Sequence, residues 1–173
     1  MEALQKLQEG NRRYVDRGPK AKRPDTAKNG QHPYGVVICC SDSRVIPEQI
    51  FDAQIGDLFV IRVAGNVLGD HLLGSVEYAV SHLGCELVVL LGHTGCGAVD
   101  AAIHRHRDGF IGCIVEDILS AIGEETDPLK ACEQNVRHGV QRLQKAFFEH
   151  PEAGSAQILG AVYDIVTGEV RFL

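Results

Sequence analysis

Apolar residues along this chain fall into two patterns. Short continuous runs, Val36-Val37-Ile38-Cys39, Leu58 to Val63, Leu87 to Leu91 and Ile158 to Tyr163, are rich in β-branched and aliphatic side chains. Runs of that length suit strands covered on both faces. Between them lie stretches with helical spacing or helix punctuation. Leu4, Leu7 and Tyr14 mark a helix from Met1 to about Arg17, stopped by Gly18-Pro19. Its apolar face is too thin for a core element, so it lies either on the surface or against a partner subunit.

A polar loop through Asn29-Gly30 and Gln31-His32-Pro33 leads into the first strand, and Pro47 opens a short helix reaching Phe51. Ala64-Gly65-Asn66 makes a turn or a close approach to a ligand, and a helix spans Leu72 to Leu83, closing at Gly84. Gly97-Ala98 opens a helix toward His106, and another covers Phe110 to Ile122. Asp127 followed by Pro128 reads as an N-cap with proline at the first helical position, starting a long helix to about Glu149 before Pro151. Thr167-Gly168 then turns the chain into a last short strand, Val170 to Leu173.

Strands alternating with helices predict an α/β fold. The expectation is a mainly parallel central sheet in Rossmann-like order, flanked by helices, with a short C-terminal edge strand and an N-terminal helix arm. The 173 residues fit a single domain, 1–173, in which the helix and loop of 1–30 are the part suited to packing on a partner.

Charge and cysteine usage narrow the class. A formal net charge of -6 works against nucleic-acid binding, and the basic cluster Lys20 to Arg23, between Pro19 and Pro24, reads as a solvated loop. No apolar run is long enough to cross a bilayer and the N-terminus lacks a signal-peptide core, so a soluble cytoplasmic protein without membrane partners is expected. Six cysteines are placed unevenly, unlike a secreted disulfide framework, and reduced thiols follow.

Two segments carry the chemistry. Cys40-Ser41-Asp42-Ser43-Arg44 and His93-Thr94-Gly95-Cys96-Gly97 each come directly after an apolar run. In an open parallel sheet, ligands collect beyond the carboxyl ends of the strands where strand order reverses. Two neighbouring strands would deliver Cys40 and His93 there, and Cys96 follows close behind. Two thiolates and an imidazole suit tetrahedral zinc with an open fourth position, one ion per chain. Side chains alternate along a strand, so Cys39 faces away as a small hydrophobe. Asp42 is placed to accept a hydrogen bond from a metal-bound water, and Arg44 to clamp it in one orientation. A closed structural zinc site would need a fourth protein ligand, for which only Asp42 is available, in competition with Arg44. Cys85, Cys113 and Cys132 read as packing thiols.

With those residues in hand, the sequence resembles the β-class carbonic anhydrases through most of its length. Beside the two metal segments stand Leu7-Gln8-Glu9-Gly10-Asn11, Arg62-Val63-Ala64-Gly65-Asn66, Ser75-Val76-Glu77-Tyr78-Ala79-Val80 and Gly160-Ala161-Val162-Tyr163-Asp164. The resemblance implies reversible hydration of carbon dioxide to bicarbonate and a proton, with zinc on Cys40, His93 and Cys96. Asp42 would orient the zinc hydroxide and Arg44 would hold Asp42. It further implies a substrate pocket of Gln31, Phe59, Ala64, Tyr78 and the backbone at Gly97, partly from the second subunit of a homodimer or dimer of dimers.

The chain departs from the family pattern in two places. Val63 stands where many members have asparagine. Val37 stands where the self-closing subset carries tryptophan for a second bicarbonate site; Arg62 and Tyr163 match the rest of such a site. Val37 and Gln31 together favour the form that keeps water on the metal. Among the histidines, His32 beside Gln31 is the first to examine as a proton carrier. Rival readings are hydrolysis of carbonyl sulfide or carbon disulfide on the same scaffold, or a low-turnover bicarbonate- or zinc-binding protein.

Overall fold

A computed structural model describes residues 3–16 and 27–173. The helix stop at Gly18-Pro19 and the basic loop Lys20 to Arg23 lie outside the described residues. Five strands, β1 (Gly35–Cys39), β2 (Leu58–Arg62), β3 (Leu87–His93), β4 (Gln157–Tyr163) and β5 (Val170–Phe172), form one sheet in the order β2-β1-β3-β4-β5. All neighbours run parallel except β4 and β5. The chain steps outward from β1 to β2 and returns to the other side of β1 as β3. The strand order therefore reverses between β1 and β3, and a crevice opens at their carboxyl ends.

Alternation along the strands divides the core. Val36, Ile38, Val88 and Leu90 pack on one face with Leu68, Leu72, Val76 and Leu143. Val37, Cys39, Val89 and Leu91 pack on the other with Val45 and Ala161. Cys39 thus faces away from the metal segments, as its place in the strand predicts. All five residues of β1 are buried, consistent with a central strand covered on both sides.

The helices are α1 (Ala3–Asp16), α2 (Pro47–Ile50), α3 (Asp70–Glu77), α4 (Gly97–Ile103), α5 (Ile111–Ile122) and α6 (Pro128–Glu149). No residue of α1 is buried, and Leu4, Leu7 and Val15 stand exposed. The cap of α6 is the one the sequence predicts, with the Asp127 carboxylate accepting the Lys130 N–H at 2.8 Å. Elsewhere the boundaries shift for physical reasons. β3 runs on through Gly92 and His93 because β4 offers Val162 and Tyr163 as partners. α4 stops at Ile103, where Arg105 turns into the left-handed region at φ 56°. α3 begins two residues before the expected Leu72, with Asp70 in its first turn, where a carboxylate suits the exposed N–H groups. Past Glu77 it continues as a wider π-type turn from Tyr78 to His82. Among the described residues no helix is long and apolar enough to cross a membrane.

Close approach of α6 to β3 and β4 is what brings it to the site. A Cβ on Gly92 would sit 2.6 Å from Val136 Cγ2 and 2.9 Å from Cys132 Sγ, and one on Gly160 would sit 2.8 Å from Val136 Cγ1. Only glycine at these strand positions lets the helix backbone lie so near the sheet.

Candidate metal centre and active site

Cys40 is the first residue beyond β1, His93 is the last of β3, and Cys96 caps α4 after a turn in which Gly95 takes φ 66°. The Cys40 and Cys96 sulfurs lie 3.9 Å apart, and the ligand atoms of all three side chains fall within 4.8 Å of one another. All three are buried. His93 Nδ1 donates to the Thr94 carbonyl at 2.9 Å, which fixes the ring and its tautomer. Thr94 is itself anchored on β4, its N–H to Tyr163 O at 3.0 Å and its hydroxyl accepting the Ile165 N–H at 3.0 Å. The buried Nε2 is left with no hydrogen-bond partner. An unpaired buried acceptor costs about 1–3 kcal/mol, and a cation shared with two sulfurs removes that cost. The residues present therefore fit zinc.

The two thiols share one proton unequally. Cys40 is pushed down by the hydrogen bond from Cys96, against the opposing effect of burial and with help from His93 and the Gly65 N–H. Cys96 is pushed up because it donates in that bond, and burial adds to this. Burial alone dominates elsewhere, raising Cys39 and Cys132 each to about 11 and lifting Cys85 too. Those are inert packing thiols. Cys113 is exposed and donates to the Phe110 carbonyl at 2.9 Å.

Asp42 and Arg44 form the clamp their spacing predicts. Asp42 Oδ1 accepts the Arg44 backbone N–H at 3.0 Å and Nε at 2.9 Å, while Oδ2 accepts Nη2 at 2.7 Å. These bonds hold the Asp42 carboxyl well below the usual carboxylate range. Among the described residues Asp42 stands outside the three-ligand cluster. A second arginine supports the same loop, with Arg62 Nε donating to Cys40 O at 3.2 Å and Nη2 to Asp42 O at 2.6 Å. Sequence reasoning missed this bracing role. The available signal was an arginine closing a strand beside β1, and the structure pairs it with Cys39.

The carbonic anhydrase family model matches residues 35–170, the span that holds every group described above. The chain belongs to the β-class carbonic anhydrases. It is 35% identical to carbonic anhydrase 2 of Mycobacterium tuberculosis over 96% of this chain and 89% of that one. It is 36% identical to a carbonic anhydrase of Mycolicibacterium smegmatis, covering 98% and 91% respectively. Among solved structures, the β-carbonic anhydrase CafA of Aspergillus fumigatus superimposes with a TM-score of 0.81 at 30% identity, covering 99% of this chain and 88% of that one. The Coccomyxa β-carbonic anhydrase, solved in complex with acetazolamide, gives 0.79 at 28% identity over 100% and 87%. The activity is zinc-dependent reversible hydration of carbon dioxide, and the cofactor is zinc.

One chain gathers only part of the pocket that the β-carbonic anhydrase resemblance implies. Ala64 precedes Gly65, whose N–H reaches the Cys40 sulfur at 3.4 Å, and Gly97 follows Cys96. Phe59 instead pairs with Val36, four residues before Cys40. At about 3.3 Å per residue that is roughly 13 Å back along the sheet. Tyr78 lies against Phe59 with ring centroids 6.2 Å apart, and Gln31 is exposed in the loop before β1. Phe59 and Tyr78 thus lie toward the amino ends of the strands, away from their own chain's metal cluster. His32 is also exposed, its Nε2 within 3.2 Å of Asn29 O.

Proposed function

We propose that Asp42, held by Arg44, is the group that orients the attacking water in this carbonic anhydrase, and that its substrate pocket is completed by a second copy of the chain. The observation that carries the first part is the clamp itself, formed next to a three-ligand cluster that Asp42 does not join. Cys40, His93 and Cys96 would hold the zinc. Zinc there supplies Lewis acidity that brings the ionisation of water toward neutrality, about 7 in favourable sites; two thiolates temper this by cancelling the ion's charge.

Asp42 then acts as a hydrogen-bond acceptor of fixed direction. A carboxylate has about four acceptor sites. Two on Oδ1 and one on Oδ2 are taken by Arg44, which leaves Oδ2 to receive the water's hydrogen bond. Because Arg44 engages both oxygens, Asp42 is held off the metal while, as a carboxylate, it remains a hydrogen-bond acceptor at neutral pH. Arg62 fixes the backbone from which both Cys40 and Asp42 project. Carbon dioxide takes its place between Ala64 and the Gly97 backbone on one chain and Gln31, Phe59 and Tyr78 of the partner subunit.

Support for the shared pocket comes from the separation of Phe59 and Tyr78 from their own metal cluster, and from the exposed Leu4, Leu7 and Val15 on α1. Two β-carbonic anhydrases of Sordaria macrospora, one of which matches this fold with a TM-score of 0.77 at 26% identity, are described as tetrameric. We read this chain as a homodimer or a dimer of dimers. All six cysteines are free, which suits a reducing cytoplasm.

The test is stopped-flow carbon dioxide hydration on zinc-loaded protein. Cys40→Ser and Gln31→Ala homo-oligomers should each be impaired, whereas a mixed dimer of the two regains one site. In that site the intact metal ligands of one chain meet the intact Gln31 of the other. Failure of the mixed dimer to regain activity would place Gln31 in its own chain's site and refute the shared pocket.

A further inference from the structure

We infer that Asn135 is a positioning residue for the metal-binding thiolate of Cys40, acting through the Gly65 peptide. Asn135 lies in α6 and is one of only three buried polar or charged residues among those described, at 6% exposure. Its Nδ2 donates to the Gly65 carbonyl at 2.9 Å, and the Gly65 N–H in turn points at the Cys40 sulfur at 3.4 Å. Both polar groups of one glycine are thereby committed, one to the helix and one to the metal ligand.

Glycine is the residue least able to hold such a direction by itself, since it has no side chain to restrict φ and ψ. Gly65 sits at φ 68°, ψ 11° between Ala64 and Asn66, with the Asn66 N–H closing the turn onto Val63 O at 3.0 Å. The Asn135 bond pins the peptide on the far side of Gly65, so the N–H on the near side stays aimed at sulfur. One helical turn earlier Cys132 donates to the His93 carbonyl at 3.3 Å, so the same face of α6 braces both metal-bearing segments.

The chemical consequence follows from the partner. An N–H donated to a thiolate draws electron density off sulfur and lowers what the sulfur passes to the metal, and groups in this role tune both affinity and bound-water acidity. Without Asn135 the Gly65 N–H loses its aim, Cys40 becomes the stronger donor, and zinc becomes the weaker Lewis acid. The inference rests on Cys40 being a ligand, and the experiment tests that link separately.

Full-length protein loaded with cadmium-113 provides the readout. In the unmodified protein a metal-to-proton coupling through the hydrogen bond is expected at the Gly65 amide. A coupling to the Cys40 β-protons serves as internal reference, and an N–C′ coupling across the hydrogen bond is expected between Asn135 Nδ2 and the Gly65 carbonyl. In Asn135→Ala, and in the shape-keeping Asn135→Leu, the Gly65 coupling should fall at least twofold while the Cys40 coupling remains. The thiolate-to-metal charge-transfer band of the cobalt-loaded variants should move to lower energy, and the pH midpoint of kcat in the zinc-loaded variants should rise. A Gly65 coupling unchanged in the folded variants overturns the inference. Absence in unmodified protein of either hydrogen-bond coupling overturns it too, whether or not the variants fold. Loss of the Cys40 coupling itself would refute the metal assignment.

Discussion

Two glycines of the site loops share a left-handed backbone but not their surroundings, and substituting each with alanine separates two costs that usually come mixed. Gly65 takes φ 68° and Gly95 φ 66°. Placing a Cβ on either costs roughly 1–2 kcal/mol for the left-handed conformation alone. At Gly95 the added methyl meets nothing within 4 Å, whereas at Gly65 it meets Ile118 Cδ1 at 2.8 Å and Ala98 Cβ at 3.0 Å. Ile118 can give by turning its terminal carbon, but Ala98 has only its Cβ and moves only with the backbone of α4. Overpacking of this kind costs about 1–3 kcal/mol. The expected destabilisation is therefore about 2–5 kcal/mol for Gly65→Ala against about 1–2 for Gly95→Ala. For a chain of this length each kcal/mol corresponds to roughly 2–4 °C in Tm. Urea unfolding at one fixed protein concentration, with zinc bound and again after chelation, measures both. Equal losses in the two variants would refute the argument, because the contacts with Ile118 and Ala98 predict the larger cost at Gly65.

Three further outcomes are expected. Arg44→Ala should lower kcat about 10–100-fold, the range for losing a group that orients a metal-site partner, and X-ray absorption should find Asp42 bound to zinc at neutral pH; unchanged rate and coordination would remove the clamp from the mechanism. Zinc binding should release protons, since Cys96 holds one that the ion displaces, so affinity rises with pH; calorimetry in buffers of different ionisation enthalpy measures the release, and none at pH 7 would contradict a two-thiolate site. Asp164 is lowered by the N–H groups of Thr167 and Val166, so its folded-state pKa lies below its unfolded value. Its stabilisation is then full above the unfolded pKa of about 3.9 and is lost as pH falls through the folded value. Unmodified protein and Asp164→Asn should accordingly differ by a constant amount from pH 7 to 5 and converge on acidification, and a difference that grows toward low pH would reverse the assignment.

Much of this protein was legible in the linear chain because its signals are local. Continuous apolar runs located β1 to β4, Asp127-Pro128 located the start of α6, and the tight spacings of Cys40-x-Asp42-x-Arg44 and His93-x-x-Cys96 put ligand and clamp residues within one loop of each other. Such features depend on strand pleat, helix capping and the reach of a side chain across two residues, all of which are set by near neighbours. What only the tertiary structure decided comes from long-range pairing. The placing of β1 beside β3 brings Cys40 to His93, and β4 extends β3 as far as its metal ligand. The register of β1 with β2 carries Phe59 away from its own chain's metal cluster and brings Arg62 onto the Cys40 and Asp42 carbonyls. Asn135 reaches Gly65 across 70 positions because glycines let α6 settle against the sheet. No local period encodes such a contact, since it arises only when helix and sheet close on each other.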